Sequence, residues 1–172
     1  MFRMMILAAA LAFAGVAAAR AADLNDAQIA HIAYTAGAID IAAGQQALKK
    51  ATDPKVKAFA EEMIRDHKAV NDKALALVKK LGVTPEDNPT SQTLSKAAAD
   101  KLAELGKLSG AAFDRGYIEN EVAYHKTVNG ALKDTLIPNA QNPELKSLLE
   151  TGLTLFTAHQ EHAESLAKTL AK

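Results

Sequence analysis

Residues 53–82 read DPKVKAFAEEMIRDHKAVNDKALALVKKLG, and this stretch decides the fold. Asp53 is a helix cap, Pro54 suits the first helical position, and Gly82 is a helix stop. Between them Val56, Phe59, Met63, Val70, Ala74, Leu77 and Leu81 recur at spacings of three and four. That is the seam of a helix packed against other helices. One seam position holds His67, an imidazole where a leucine is expected. The stretch therefore predicts an all-α bundle with a polar spot inside.

The flanking sequence repeats the pattern. A helix is predicted over 25–51, with Asn25 and Gln28 in capping-box spacing. Its stripe is Ile29, Ile32, Ala36, Ile39, Ala43 and Ala47, small enough to let a neighbour approach closely. Another runs over 110–137 behind Ser109 and carries Ile118, Val122, His125, Val128, Leu132 and Leu136. The last, over 143–171, has Asn142 as its cap and Pro143 at its first position, and carries Leu145, Leu148, Leu149, Gly152, Leu155, Phe156, His159, Ala163, Leu166 and Leu170. Thr84 to Pro89 reads as a loop from its prolines and polar residues, and a short helix is placed over 94–108. No period-two alternation predicts a sheet. Short links make the first two long helices antiparallel, and likewise the last two. The long connection between the second and third, holding the short helix, either runs back along the bundle or folds over one end.

Arg3, the apolar run from Met4 to Val16 and the Ala19-Arg20-Ala21 cleavage pattern read as a signal peptide over 1–21, cleaved near Ala21. The bundle domain is then 22–172, and a periplasmic location is expected. The apolar run is shorter than the roughly 20 residues of a membrane span, so no stable membrane insertion is expected after cleavage. Lysine and arginine total 20, as do aspartate and glutamate, and only Arg65 and Arg115 follow the leader. That balance argues against capture of nucleic acid. There is no cysteine, hence no disulfide and no thiolate ligand. An envelope protein or a second copy of the chain is the expected kind of partner.

Several segments carry a resemblance. They include Gly37-Ala38-Ile39-Asp40-Ile41, Thr52-Asp53-Pro54-Lys55-Val56, Met63-Ile64-Arg65-Asp66-His67, Leu108-Ser109-Gly110-Ala111-Ala112-Phe113-Asp114, Asn142-Pro143-Glu144-Leu145-Lys146 and His162-Ala163-Glu164-Ser165. Together they resemble the exported bacterial family of domain of unknown function 4142. The resemblance implies a ferritin-like four-helix bundle in the cell envelope and brings no activity with it.

The chemistry rests on the polar residues of the seams. His67, His125 and His159 come from three different helices; Glu121 lies one turn before His125, and Asp40 is near enough to its stripe to turn inward. His162, one turn beyond His159, is a substitute or additional ligand. Imidazoles with a carboxylate suit Zn²⁺, Cu²⁺ or Fe²⁺, so a divalent transition metal is the candidate cofactor. Di-iron sites of ferritin-like bundles use Glu-x-x-His pairs. Here Ile64, Val122 and Phe156 stand three residues before the histidines, so oxidase chemistry is not expected. His31, opposite its stripe, is expected to face solvent. The alternative to a metal is that each core imidazole is hydrogen-bonded by Asp66, Glu121, Asp40 or a tyrosine. No nucleophile has a base placed to activate it. The first expectation is thus a non-catalytic envelope or stress-related bundle, the second a divalent-metal-binding protein, and the last a di-iron oxidase.

Overall fold

The computed structural model describes residues 24–171. The leader expected over 1–21 lies outside them. The described chain is all-α: α1 Asp26–Lys50, α2 Pro54–Leu81, α3 Pro89–Gly106, α4 Gly110–Ala131, a π-helical turn Leu132–Leu136, α5 Ile137–Asn139 and α6 Pro143–Leu170. Among the described residues no helix is long and apolar enough to cross a membrane.

The caps act as the local sequence requires. Asn25 and Gln28 form a reciprocal capping box, Asp53 accepts from the Lys55 amide, and Asn142 accepts from those of Glu144 and Leu145. Gly82 leaves α2 at φ +65°. One boundary differs from expectation. Pro89 is the first residue of α3 rather than part of a loop, because Asn88 and Ser91 form a second capping box. Proline is favoured at a first helical position, where its missing N–H costs nothing. The α4 extension also deviates from a plain helix near Pro138, which has no N–H and crowds the carbonyl four residues back. The chain widens there, with the Ile137 N–H reaching Leu132 O and the Asn139 side chain donating to Thr135 O at 2.8 Å.

The long connection runs back along the bundle. Near the start of α3, Ser91 Oγ meets His31 at 3.0 Å on α1. Near its end, Gln46 and Lys50 donate to the carbonyls of Leu102 and Gly106. α3 therefore lies parallel to α1 and returns the chain to the α1–α2 turn. There Asp114 of α4, only 2% exposed, accepts from the Thr52 amide at 2.9 Å, the Thr52 hydroxyl at 2.6 Å and the Asp53 amide at 3.0 Å. At the opposite end Asp26 accepts from the amides of Gln141 and Asn142. α1 and α6 thus run one way, α2 and α4 the other. Two apolar clusters fill the interior: Phe59, Met63, Phe113, Tyr117 and Ile118 toward the α1–α2 turn, and Ile29, Ile32, Leu132, Leu145 and Leu149 toward the other end.

Candidate metal centre

The polar residues lie between those two clusters because of where the helices begin and end. Asp40 is ten residues before Lys50, His67 thirteen after Pro54, His125 fifteen after Gly110 and His159 eleven before Leu170. All four are measured from the same end of the bundle, so at about 1.5 Å per residue they share a level. Each is at most 2% exposed, and Glu121 is fully buried.

Three donor atoms from three helices face one another. His67 Nε2 is 3.4 Å from His125 Nε2 and 3.3 Å from Asp40 Oδ2, and His125 Nε2 is 3.5 Å from the same carboxylate oxygen. The Asp40 oxygens lack the alignment that a hydrogen bond to either ring requires. His125 Nδ1 is 3.0 Å from the Glu121 carbonyl and donates to it, which leaves Nε2 as the lone-pair nitrogen aimed at the triangle. His159 closes the group: His67, His125 and His159 offer nitrogens within 4.8 Å of one another, as do donor atoms of Asp40, Glu121 and His125. Phe156 stacks on the His67 ring at 4.4 Å and covers one side.

Several buried polar atoms have no partner. They are both oxygens of Asp40, both of Glu121, Nδ1 of His67, Nδ1 of His159 and the Tyr117 hydroxyl. Each unsatisfied group costs about 1–3 kcal/mol. Burial drives every titratable member toward its neutral form. It pushes Asp40 up to about 8 and Glu121 well above the usual carboxylate range, the latter aided by Asp40. It pulls His125 down to about 4 and lowers His67 and His159 as well, with the neighbouring imidazoles adding to the effect on His67. The site thus offers three neutral imidazoles and two carboxyl groups, a donor set suited to a transition-metal cation.

His162 does not join this group. It is exposed, and its Nδ1 bonds Glu62 Oε2 at 2.8 Å on the outer α2–α6 seam. One more helical turn past His159 rotates the ring beyond the buried face. Asp66 sits on that seam too, accepting from His159 Nε2 at 3.1 Å and clamped by Arg65. Burial alone would raise the Asp66 carboxyl; the bonds from Arg65 and His159 outweigh it and hold the group low. His31 also departs from expectation, being half-covered by Ser91 because α3 lies over the face of α1 that the stripe leaves free. Asn88, Ser91, Asp114 and Asn71 are further buried polar residues that the apolar pattern did not single out. Asp114 clamps the α1–α2 turn, and Asn71, one turn after His67, donates to Tyr34 O at 3.3 Å. The signal for Asn71 was its spacing of four from His67.

No curated protein and no solved structure matches the chain. A family model does match, over residues 11–166, and the chain belongs to that family, described as domain of unknown function (DUF4142).

Proposed function

We propose that the protein binds one divalent transition-metal ion in the bundle core, through His67 Nε2, His125 Nε2 and Asp40 Oδ2, with His159 or Glu121 completing the set. The observation that carries this reading is the donor triangle with sides of 3.3, 3.4 and 3.5 Å. Tetrahedral ligands at 2.0–2.1 Å from Zn²⁺ are about 3.3–3.4 Å apart, so the triangle is one face of such a coordination shell. The unpartnered carboxylate oxygens supply what a cation needs, and the His125–Glu121 carbonyl bond orients its ligand ring as metal-binding histidines require.

The role is binding or carriage rather than turnover. The two buried carboxylates at this level, Asp40 and Glu121, are too few for the di-iron arrangement of ferritin-like bundles, which takes four. Export to the periplasm belongs to the same proposal and rests on the leader pattern over 1–21. A purely structural envelope bundle is the competing reading; it leaves the orphaned atoms without a purpose. Metal analysis of untagged protein recovered from the periplasm, with Zn²⁺ calorimetry on the stripped protein, decides between them. One equivalent is expected, with affinity at least ~100-fold weaker in the His67→Gln/His125→Gln double variant. An unchanged metal content in that variant would reject the site.

A further inference from the structure

None of the five core donors, Asp40, His67, Glu121, His125 and His159, is more than 2% exposed. An ion bound there still has to come from solvent. A bare cation entering an apolar interior carries a large desolvation cost, so its route needs donors that replace its water stepwise. The α2–α6 seam holds such a series. Glu62 and Asp66 stand one turn apart on α2, and His159 and His162 one turn apart on α6. His162 Nδ1 lies 2.8 Å from Glu62 Oε2, and His159 Nε2 lies 3.1 Å from Asp66 Oδ2. Glu62, Asp66 and His159 each offer a donor atom within 4.8 Å of the others, and His159 also belongs to the inner group with His67 and His125. Side-chain exposure falls along the series, from 45% at His162 and 30% at Glu62 to 17% at Asp66 and 2% at His159. Phe59 meets the His162 ring edge to face at 5.1 Å, and Arg65 pairs with Asp66. Ion pairing accounts for each of these contacts singly. It does not account for one imidazole serving two donor groups at the end of a gradient of exposure.

Resting on the core-site reading, we propose that Glu62, Asp66 and His162 form a loading site, which captures the divalent cation at the surface and passes it inward through His159. Two carboxylates and an imidazole take the ion from water, and exchange onto His159 brings it to the level of His67 and His125. The cluster sets two carboxylates against one guanidinium, so it attracts a cation. The other approach is a half-open cleft of about 270 Å³ between α1, α3 and α4, which reaches Asp40 and Glu121. Its border carries Lys101 and, among the described residues, no imidazole and no further carboxylate. Aliphatic residues such as Ile39, Leu94 and Leu102 line much of the rest. An ion taking that way would shed its water before meeting a ligand.

Stopped-flow mixing of the purified metal-free protein with Co²⁺ follows entry directly, through the visible absorption that the ion gains on tetrahedral coordination. The Glu62→Gln/His162→Gln variant is expected to slow uptake and release alike by about tenfold. Its final spectrum, stoichiometry, affinity and circular dichroism should match the wild type, because a route sets rates and not the equilibrium. Glu61→Gln removes the same charge from an exposed neighbour outside the cluster, and Ala97→Trp narrows the cleft beside α3. Both are expected to keep wild-type rates. Wild-type rates in the double variant, with Co²⁺ still bound, would overturn the loading site and leave the core site standing. So would slowed entry in Ala97→Trp alone, which would assign the route to the cleft, or a weaker affinity in the double variant, which would make the seam a place where the ion rests. No Co²⁺ uptake by the wild type would reject the core site, and the loading site with it.

Discussion

At the residue scale, His125 shows how one side chain is set up by its own helix. Its Nδ1 donates to the carbonyl one turn back, so its Nε2 presents a lone pair to Asp40 and His67. The imidazoles are neutral well below pH 7, so Asp40 rather than a histidine carries the proton that a metal must displace. Zn²⁺ binding at pH 7 is therefore expected to release about one proton, or two if Glu121 also ligates. Affinity should rise with pH and level off above about 8, the value to which burial pushes Asp40. Calorimetry in buffers of different ionisation heat measures the release, and Asp40→Asn should lower it by about one proton while weakening binding. Unchanged proton release in that variant would remove Asp40 from the site. His67, His125 and His159 were legible as interruptions of an apolar seam, and Asp40 as an acid close enough to its stripe to turn inward. His162 and His31 were misplaced because the pattern of one helix does not say which neighbour covers its other faces.

Among the elements, two glycines on packed helix faces separate close approach from open space. A Cβ on Gly44 of α1 would stand 2.9 Å from the Ile64 side chain and 3.1 Å from the Ala60 carbonyl of α2. One on Gly152 of α6 would meet only the Phe156 ring, at 3.4 Å, an ordinary contact. Gly44→Ala should destabilise by about 1–2 kcal/mol, overpacking exceeding the gain in helix propensity. Gly152→Ala should stabilise by up to about 1 kcal/mol. Urea unfolding of the pair checks both signs, and the same sign for both would refute this account of α1–α2 packing. Asp114 ties α4 to the α1–α2 turn through donors that an alanine leaves buried and unpaired. Asp114→Ala should cost about 3 kcal/mol by the same measurement, and a loss below about 0.5 kcal/mol would deny the clamp. The alanine-rich stripe announced the tight α1–α2 contact, and caps announced most helix starts. The start of α3 was obscured because Asn88-Pro89 serves a loop and a helix opening equally well, and only the Ser91 bond back to Asn88 decides.

For the whole molecule, buried acids and buried histidines pull stability in opposite directions with pH. The core histidines lie below their ordinary 6.5 in the folded state, so the unfolded chain binds their protons more readily. Their contribution is complete above about pH 6.5 and is lost as pH falls toward the value of about 4 for His125. Asp40 is raised from 3.8 to about 8, so its contribution is complete below 3.8 and is lost as pH rises through 8. Glu121 follows the same sign. Three imidazoles outweigh two carboxyls below pH 6.5, and only the carboxyls titrate between 6.5 and 8. The metal-free protein should therefore melt highest near pH 6.5, with a lower Tm at both pH 5 and pH 8, and bound Zn²⁺ should abolish the alkaline decline. A metal-free Tm that climbs steadily from pH 5 to pH 8 would contradict the burial of the two acids. None of this coupling was visible in the chain as a line of letters, because it depends on four helices meeting at one level across the long α3 return.

The central claim concerns where an ion sits, and anomalous diffraction from a crystal soaked in Zn²⁺ tests it most directly. One strong internal peak is expected at bonding distance from His67 Nε2, His125 Nε2 and an oxygen of Asp40. An empty interior, or zinc held only by surface residues such as Glu62 and His162, would contradict it.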